Sequence, residues 1–441
     1  MLKKDIKKAL LTLCFLWLVA SLYAQYTVTG GDGAPYVEHR KPLDIYLVYG
    51  MNNVVVSYTS ATNITHQWYR YKTKALEAEK ISCVQNGMTS MIMEVEDGCG
   101  YFVEEPGKIT SYVWIIDYSR YLAQISMLRV SDKSDPCSSL LLEIDGSLPE
   151  IRYHAPTTGD RPLLERNFEV SYKTLDMEGD RKVKDITKTL KSSGNFFEPS
   201  IEAPYCDTDI CVKGDQYARH FNKEITLCVD DYEATAVAVH IDTVLIEQEA
   251  PNINASKEGY CAPAIVQFTA IANMPTAALF NWMIYREGEE TNPVARFTGE
   301  EMDYTFSQAG SFIAKVEVTD HSGTCKAESE VALKVSESYL MIPNAFSPGT
   351  SPGVNDEFKV AYKSLVSFKG WIFNRWGIEM FRWTDPSLGW DGKKGGRFVP
   401  PGVYFYVIEA EGSDGIKYKE KGDINILRPK TIQEKNEDIK Q

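Results

Sequence analysis

Between Ile342 and Pro429, aromatic and aliphatic residues recur with a period of two, in runs cut by clusters of Gly, Pro and Asn. No other feature of the 441 residues constrains the fold as strongly. A side chain repeating at every second position lines one face of a strand and suits no helix. Trp371 and Phe373 alternate in one run, and Val403, Phe405 and Val407 in another. Both read as half-buried strands whose alternating residues enter a core. Asn374-Arg375-Trp376-Gly377 breaks the first run, with Gly377 supplying the positive φ of a tight reversal. Pro400-Pro401-Gly402 marks a turn ahead of the second. The expectation is an antiparallel β-sandwich of short strands around an aromatic core.

The punctuating motifs are specific. In order, they are Pro343-Asn344-Ala345-Phe346-Ser347-Pro348, Asn355-Asp356-Glu357-Phe358, Phe373-Asn374-Arg375-Trp376-Gly377, Gly389-Trp390-Asp391-Gly392 and Pro401-Gly402-Val403-Tyr404-Phe405-Tyr406. This series resembles the gliding motility-associated C-terminal domain, the type B sorting domain of the Bacteroidetes type IX secretion system. The resemblance covers roughly Tyr339 to Pro429, about a fifth of the chain. It implies recognition by the type IX machinery of the outer membrane; no cofactor is expected. The motif residues it carries over are Asn355, Asp356, Phe358, Asn374, Arg375, Trp376, Gly377, Trp390, Asp391 and Gly392. The turns at Asn374–Gly377 and Trp390–Gly392 are expected to form the exposed recognition surface. Trp371, Trp376, Trp383 and Trp390 are read as core and turn packing rather than as a sugar-stacking platform. The family often has Asn-Gly-Asp-Gly before its Asn-Asp, where this chain has Gly349-Thr350-Ser351-Pro352-Gly353-Val354. Such a loop offers few carboxylates to calcium, which takes about six to eight oxygens, and no metal is expected.

The start of the chain agrees with export. Lys3, Lys4, Lys7 and Lys8 form a basic region, Ala9 to Leu22 is apolar, and cleavage is expected after Ala24. The apolar run is shorter than the roughly 20 residues that span a bilayer comfortably. Cys14 follows Leu13 in mid-run, unlike a lipoprotein cysteine. No other run approaches transmembrane length. The formal charge is −14, and removing the leader's net +3 leaves −17. That balance argues against nucleic acid and anionic membrane surfaces as partners.

Eight of the nine cysteines lie beyond the leader, the even number expected of a disulfide-bonded exported protein. Cys261 and Cys325 bracket one expected sandwich and are expected to pair. Cys83 and Cys99 would staple a hairpin. Cys137, Cys206, Cys211 and Cys228 would then pair among themselves, in one of three connectivities. Zinc is disfavoured by the absence of C-x-x-C.

The whole chain reads as all-β: tandem Ig-like and PKD-like β-sandwiches with a C-terminal β-sandwich sorting domain. The expected modules are a leader at 1–24, Ig-like β modules at 25–130 and 131–249, a PKD-like module at 250–336, the sorting module at 337–429 and a polar tail at 430–441. Trp68, in His66-Gln67-Trp68-Tyr69, stands where an Ig-like sandwich buries a tryptophan. Trp282 does the same in the third module, whose Tyr304–Gly323 stretch resembles the closing half of a PKD domain. The family's Trp-x-Phe-Gly-Asp-Gly is missing there. Lys72–Lys80 and Gly214–Phe221 are read as loops or single helical turns. Asp242-Thr243-Val244 matches a short O-glycosylation sequon but reads more simply as a strand end.

No catalytic constellation emerges. The six histidines are scattered, without H-E-x-x-H, and there is no G-x-S-x-G or P-loop. Asp230-Asp231 and Glu289-Glu290 are adjacent carboxylates, which on a strand point to opposite faces. The function expected is therefore that of an exported, non-enzymatic surface protein with a protein or glycan ligand. A carbohydrate-binding adhesin is the alternative.

Overall fold

The computed structural model describes residues 25–179, 181–253, 259–350 and 353–427. The expected leader, and the tail from 430 onward, lie outside the described residues. Almost every described element is a strand, as the punctuated period-two pattern requires. The chain divides into two compact units at Ala234/Thr235.

The first unit opens with a four-stranded sheet, ordered Gln25–Thr29, Val55–Thr59, Thr89–Ile92, Val84–Asn86. It packs on a six-stranded sheet, ordered Tyr36–Arg40, Leu43–Val48, Lys108–Asp117, Cys99–Glu105, Gln67–Tyr71, Glu79–Ile81. Trp68 is fully buried between them, its Nε1 donating to Ser90 Oγ at 2.7 Å. The large sheet is apolar on both faces. Val113 and Ile115 enter the sandwich core, while Trp114 and Ile116 are buried on the opposite face with Leu43, Ile45 and Leu47. A strand buried on both sides shows a continuous apolar run instead of alternation, as Tyr112–Ile116 does.

The second module covers that far face with Ile151 and Leu164 and with Tyr217, Ala218 and Phe221, on and just after the short helix Gln216–His220. Its own sheets have three strands (Gln124–Val130, Ser139–Ser147, Ser200–Glu202) and four (Val183–Lys191, Asn167–Leu175, Thr208–Gly214, Ile225–Tyr232). Gln124–Val130 pairs with Ser139–Ser147, which places it in this module rather than the first. Cys211 and Cys228 face one another on neighbouring strands and form a disulfide. The Cys206 thiol is free, so the four cysteines of this module do not pair among themselves.

In the second unit, Val239–Gln248 pairs with Ala264–Ala272, and so opens the third sandwich instead of closing the second. Glu301–Phe306 completes that sheet; Ala295–Thr298, Ala277–Arg286, Gly310–Asp320 and Lys326–Val335 form the other. Trp282 is buried, its Nε1 donating to the Gly299 carbonyl at 2.9 Å.

Two expected disulfides are not formed. Cys83 lies against the His66 carbonyl (3.9 Å) and Cys99 against the Glu96 carboxylate (3.7 Å), and both thiols are free. The hairpin beside Cys83 belongs to the four-stranded sheet, while Cys99 opens a strand of the other. Cys261 is also free, and Cys325 bonds a different cysteine. Tyr260 bridges Val335, at the far end of the ten-residue strand that begins just after Cys325. Such a strand is about 30 Å long, whereas a disulfide holds its Cα atoms within about 7 Å.

The C-terminal module has one five-stranded sheet, ordered Ala345–Phe346, Lys417–Ile426, Gly402–Gly412, Leu365–Phe373, Glu379–Trp383. Its first pairing is parallel and the others antiparallel. Two short ribbons and the connecting loops supply the opposing layer. They bury Phe358, Val360, Trp390 and Val399 against Phe346, Phe368, Ile372, Trp383, Tyr404 and Ile408 of the sheet. Gly370 leaves room for this packing, since a Cβ there would meet the Trp383 ring at 2.6 Å.

Candidate functional site

The alternating rows that predict strands do so correctly, but they face the opposite way from expectation. Ile372, Tyr404 and Ile408 point into the core. Trp371 and Phe373 lie on the outer face, directly opposite Val407 and Phe405 of the neighbouring strand. Val403, Phe405 and Val407 are 48%, 44% and 38% exposed. Sequence periodicity fixes which residues share a face, but both rows here are apolar, and only the loop aromatics decide which is covered.

Asn374 shapes the turn beside this face. Its Oδ1 accepts the backbone amides of Trp376 and Ile378, each at 3.0 Å, and its carbonyl accepts the Gly377 amide at 3.0 Å. Gly377 sits at φ 78°. The turn presents Trp376, 70% exposed, with the Arg375 guanidinium 4.2 Å above its ring. This half of the expected recognition surface is in solvent.

In the other half only the Asp391 side chain reaches solvent. Trp390 is fully buried against Phe346 and Tyr404, with ring centroids 5.6 and 5.4 Å away, and its Nε1 donates to the Lys393 carbonyl at 2.9 Å. Its backbone pairs with that of Phe358, also fully buried, at 2.8 and 3.0 Å. The Gly-Trp-Asp-Gly and Asn-Asp-Glu-Phe motifs therefore meet as a core clasp. Asp391 trims the corner by accepting the Lys393 amide at 3.0 Å and pairing with its Nζ at 2.9 Å. Gly392 sits at φ 74°, where a Cβ would strike Pro348 at 2.8 Å.

Asn355 is left-handed at φ 54°, and its carbonyl accepts the Ser347 amide at 2.7 Å. Asp356 Oδ2 accepts the Gly353 amide, while Oδ1 is buried with no partner among the described residues. These two residues shape the entry loop. Among the described residues, no group of three or more His, Cys, Asp or Glu is placed to hold a metal ion. No described helix is long and apolar enough to cross a membrane.

Fold and site together define a class: an array of Ig-like β modules ending in an aromatic one-sheet module with an apolar outer face. Residues 340–426 match the family model of the CHU_C type IX secretion signal domain, and residues 129–229 match that of the fibronectin type III domain. The chain thus carries a type IX secretion signal domain at its C-terminal end, preceded by a fibronectin type III module whose three- and four-stranded sheets are those described above. Such a signal domain implies interaction with the type IX machinery and export to the cell surface or beyond it. No curated protein matches the chain.

Proposed function

We propose that this is a non-enzymatic surface protein whose C-terminal module directs type IX secretion and attachment, while the Ig-like modules act as spacers or interaction domains. The carrying observation is that the matched signal domain leaves a row of apolar side chains in water. Val403, Phe405 and Val407 stand opposite or beside Trp371 and Phe373, next to the exposed Trp376 turn. A contiguous apolar patch rimmed by charge marks a surface that a partner covers. The rim is charged here, with Arg382 opposite Trp371, Glu379 opposite Phe373 and Lys421 opposite Val407.

The test is localisation in a type IX-competent host of the full chain, of the chain ended before Tyr339, and of a periplasmic reporter fused to residues 235–441. The proposal expects the truncated chain in the periplasm and the fused reporter at the surface. A truncated chain that still reaches the surface overturns it.

A further inference from the structure

The far face of the six-stranded sheet is not covered along its whole length. At one end, Tyr69 lies opposite Phe102, and Phe102 opposite Tyr112, so three aromatic residues form a row across three neighbouring strands. The Tyr69 and Phe102 rings are 5.0 Å apart and within 6° of parallel; Tyr112 meets Phe102 at 5.3 Å and 65°. The row lines a recess of about 440 Å³, a volume within the range of ligand pockets. Leu76 and Ile109, 95% and 52% exposed, also line it, as does Pro156. Glu104 supplies a carboxylate at the wall, where it accepts the Tyr69 hydroxyl at 2.6 Å.

The same face already holds a proline-bearing loop of the second module. Residues 149–164 double back on it as a hairpin, with Arg152 bridged to Leu163 and the Leu164 amide donating to the Ile151 carbonyl at 2.7 Å, burying Ile151 and Leu164 completely and placing Pro156 in the turn. The Pro156 carbonyl accepts the Ala75 amide at 2.8 Å. Pro156 and Thr157, in the turn of this loop, line the recess, so one proline already lies against its aromatic row.

We propose that the Tyr69–Phe102–Tyr112 recess binds an extended, proline-containing segment of a partner protein, with a basic residue of that segment facing Glu104. Aromatic-lined grooves suit such segments, because rings and prolines present flat apolar surfaces and a polyproline chain loses little entropy on binding. The carboxylate sets direction by pairing with the cation. This site is independent of the secretion signal and concerns what the exported chain holds once outside.

The probe is a short fluorescein-labelled peptide of Pro-Pro-Leu repeats with one Arg, titrated with the full exported chain and read by anisotropy. Saturable binding is expected, with a dissociation constant of roughly 10–300 μM. Leu76→Asp, at a side chain with no packing to lose, weakens binding about tenfold, the effect of losing one interface anchor. Glu104→Gln weakens binding of the Arg peptide while leaving an Ala-for-Arg peptide unchanged. Absence of saturation with the unaltered protein, or equal affinity for the Leu76→Asp variant, overturns the proposal. So does binding of a chitin or cellulose oligosaccharide that Leu76→Asp abolishes while the peptide fails to bind, which would give the recess to saccharide.

Discussion

Asp215 is fully buried and accepts hydrogen bonds from Arg166, from the Tyr118 hydroxyl at 3.0 and 3.1 Å, and from the Tyr217 and Ala218 amides at 2.9 Å. It thereby caps the Gln216–His220 helix and fixes that helix against the first module's sheet. Arg166, only 1% exposed, also donates to the Pro149 carbonyl at 3.1 Å. Burial, and then the neighbouring Asp215 carboxylate, push the Tyr118 hydroxyl well above the ordinary tyrosine range, so it stays a donor at any physiological pH. Removing one member of a buried ion pair strands the other's charge, at a cost of about 3–5 kcal/mol. Asp215→Ala should lower stability by that amount in urea unfolding. The double variant Arg166→Met/Asp215→Leu should recover only part of it, because it removes the stranded charge but still leaves the Tyr118 hydroxyl and the Tyr217 and Ala218 amides without their acceptor. A double variant no better than the single would show that the lost hydrogen bonds of Asp215, and not the stranded Arg166 charge, set the cost. The sequence marks Gly214–Phe221 as the break in strand character, but nothing local ties Asp215 to Arg166, which only the folded chain brings together.

At the scale of elements, the orientation of the Gly402–Gly412 strand makes a sharp prediction. Ile408→Ala empties a fully buried site and should cost about 2–5 kcal/mol. Phe405→Ser, a larger chemical change on the outer row, should stay within about 1 kcal/mol. Equal losses in denaturant titrations would refute the assignment of faces. Strand existence was legible here because the period-two rows and the Asn374-Arg375-Trp376-Gly377 and Pro400-Pro401-Gly402 breaks are local signals. The face was not legible, because Trp371 and Phe373 look as core-worthy as Phe368 and Ile372. The cysteines failed for a similar reason. Cys261 and Cys325 bracket a module in sequence, but bracketing says nothing of which end of a long strand each occupies. Cys211 and Cys228 do bond, as cross-strand neighbours closing a loop of sequence separation 17. Replacing both with Ala should cost about 3 kcal/mol by releasing that loop in the unfolded chain. Comparing the urea unfolding of the Cys211→Ala/Cys228→Ala variant with that of the unaltered oxidised protein checks this.

At the scale of the molecule, the second unit joins its two modules through backbone-level bonds, so the signal domain does not hang from a free linker. The Asn252 side chain donates to the Val360 carbonyl at 2.6 Å and accepts the Tyr362 amide at 2.9 Å. Tyr362 in turn donates its hydroxyl to the Ala250 carbonyl at 2.9 Å, and the Ala309 amide donates to the Ser413 carbonyl at 2.9 Å. Glu249 sits in the same seam and accepts the Leu365 amide at 3.1 Å. Burial raises its carboxyl to about 7, with Asp385 adding to the rise and the backbone amides of Leu365 and Ser364 opposing it. The folded unit therefore binds a proton between pH 4.5 and about 7 that the unfolded chain has released. Stability linked to this group is fully present below pH 4.5 and is lost as pH rises through 7. Residues 235–441 should accordingly melt at a progressively lower temperature across that window, by a few degrees after allowance for partial solvent screening. Glu249→Gln should flatten the slope without removing the carbonyl oxygen that accepts Leu365. A signal domain excised at Tyr339 lacks Glu249 altogether, and should show no such slope and a lower melting temperature throughout. If the excised domain and residues 235–441 melt alike at every pH, the seam does not couple the two modules, and the export signal is energetically independent of the sandwich that precedes it.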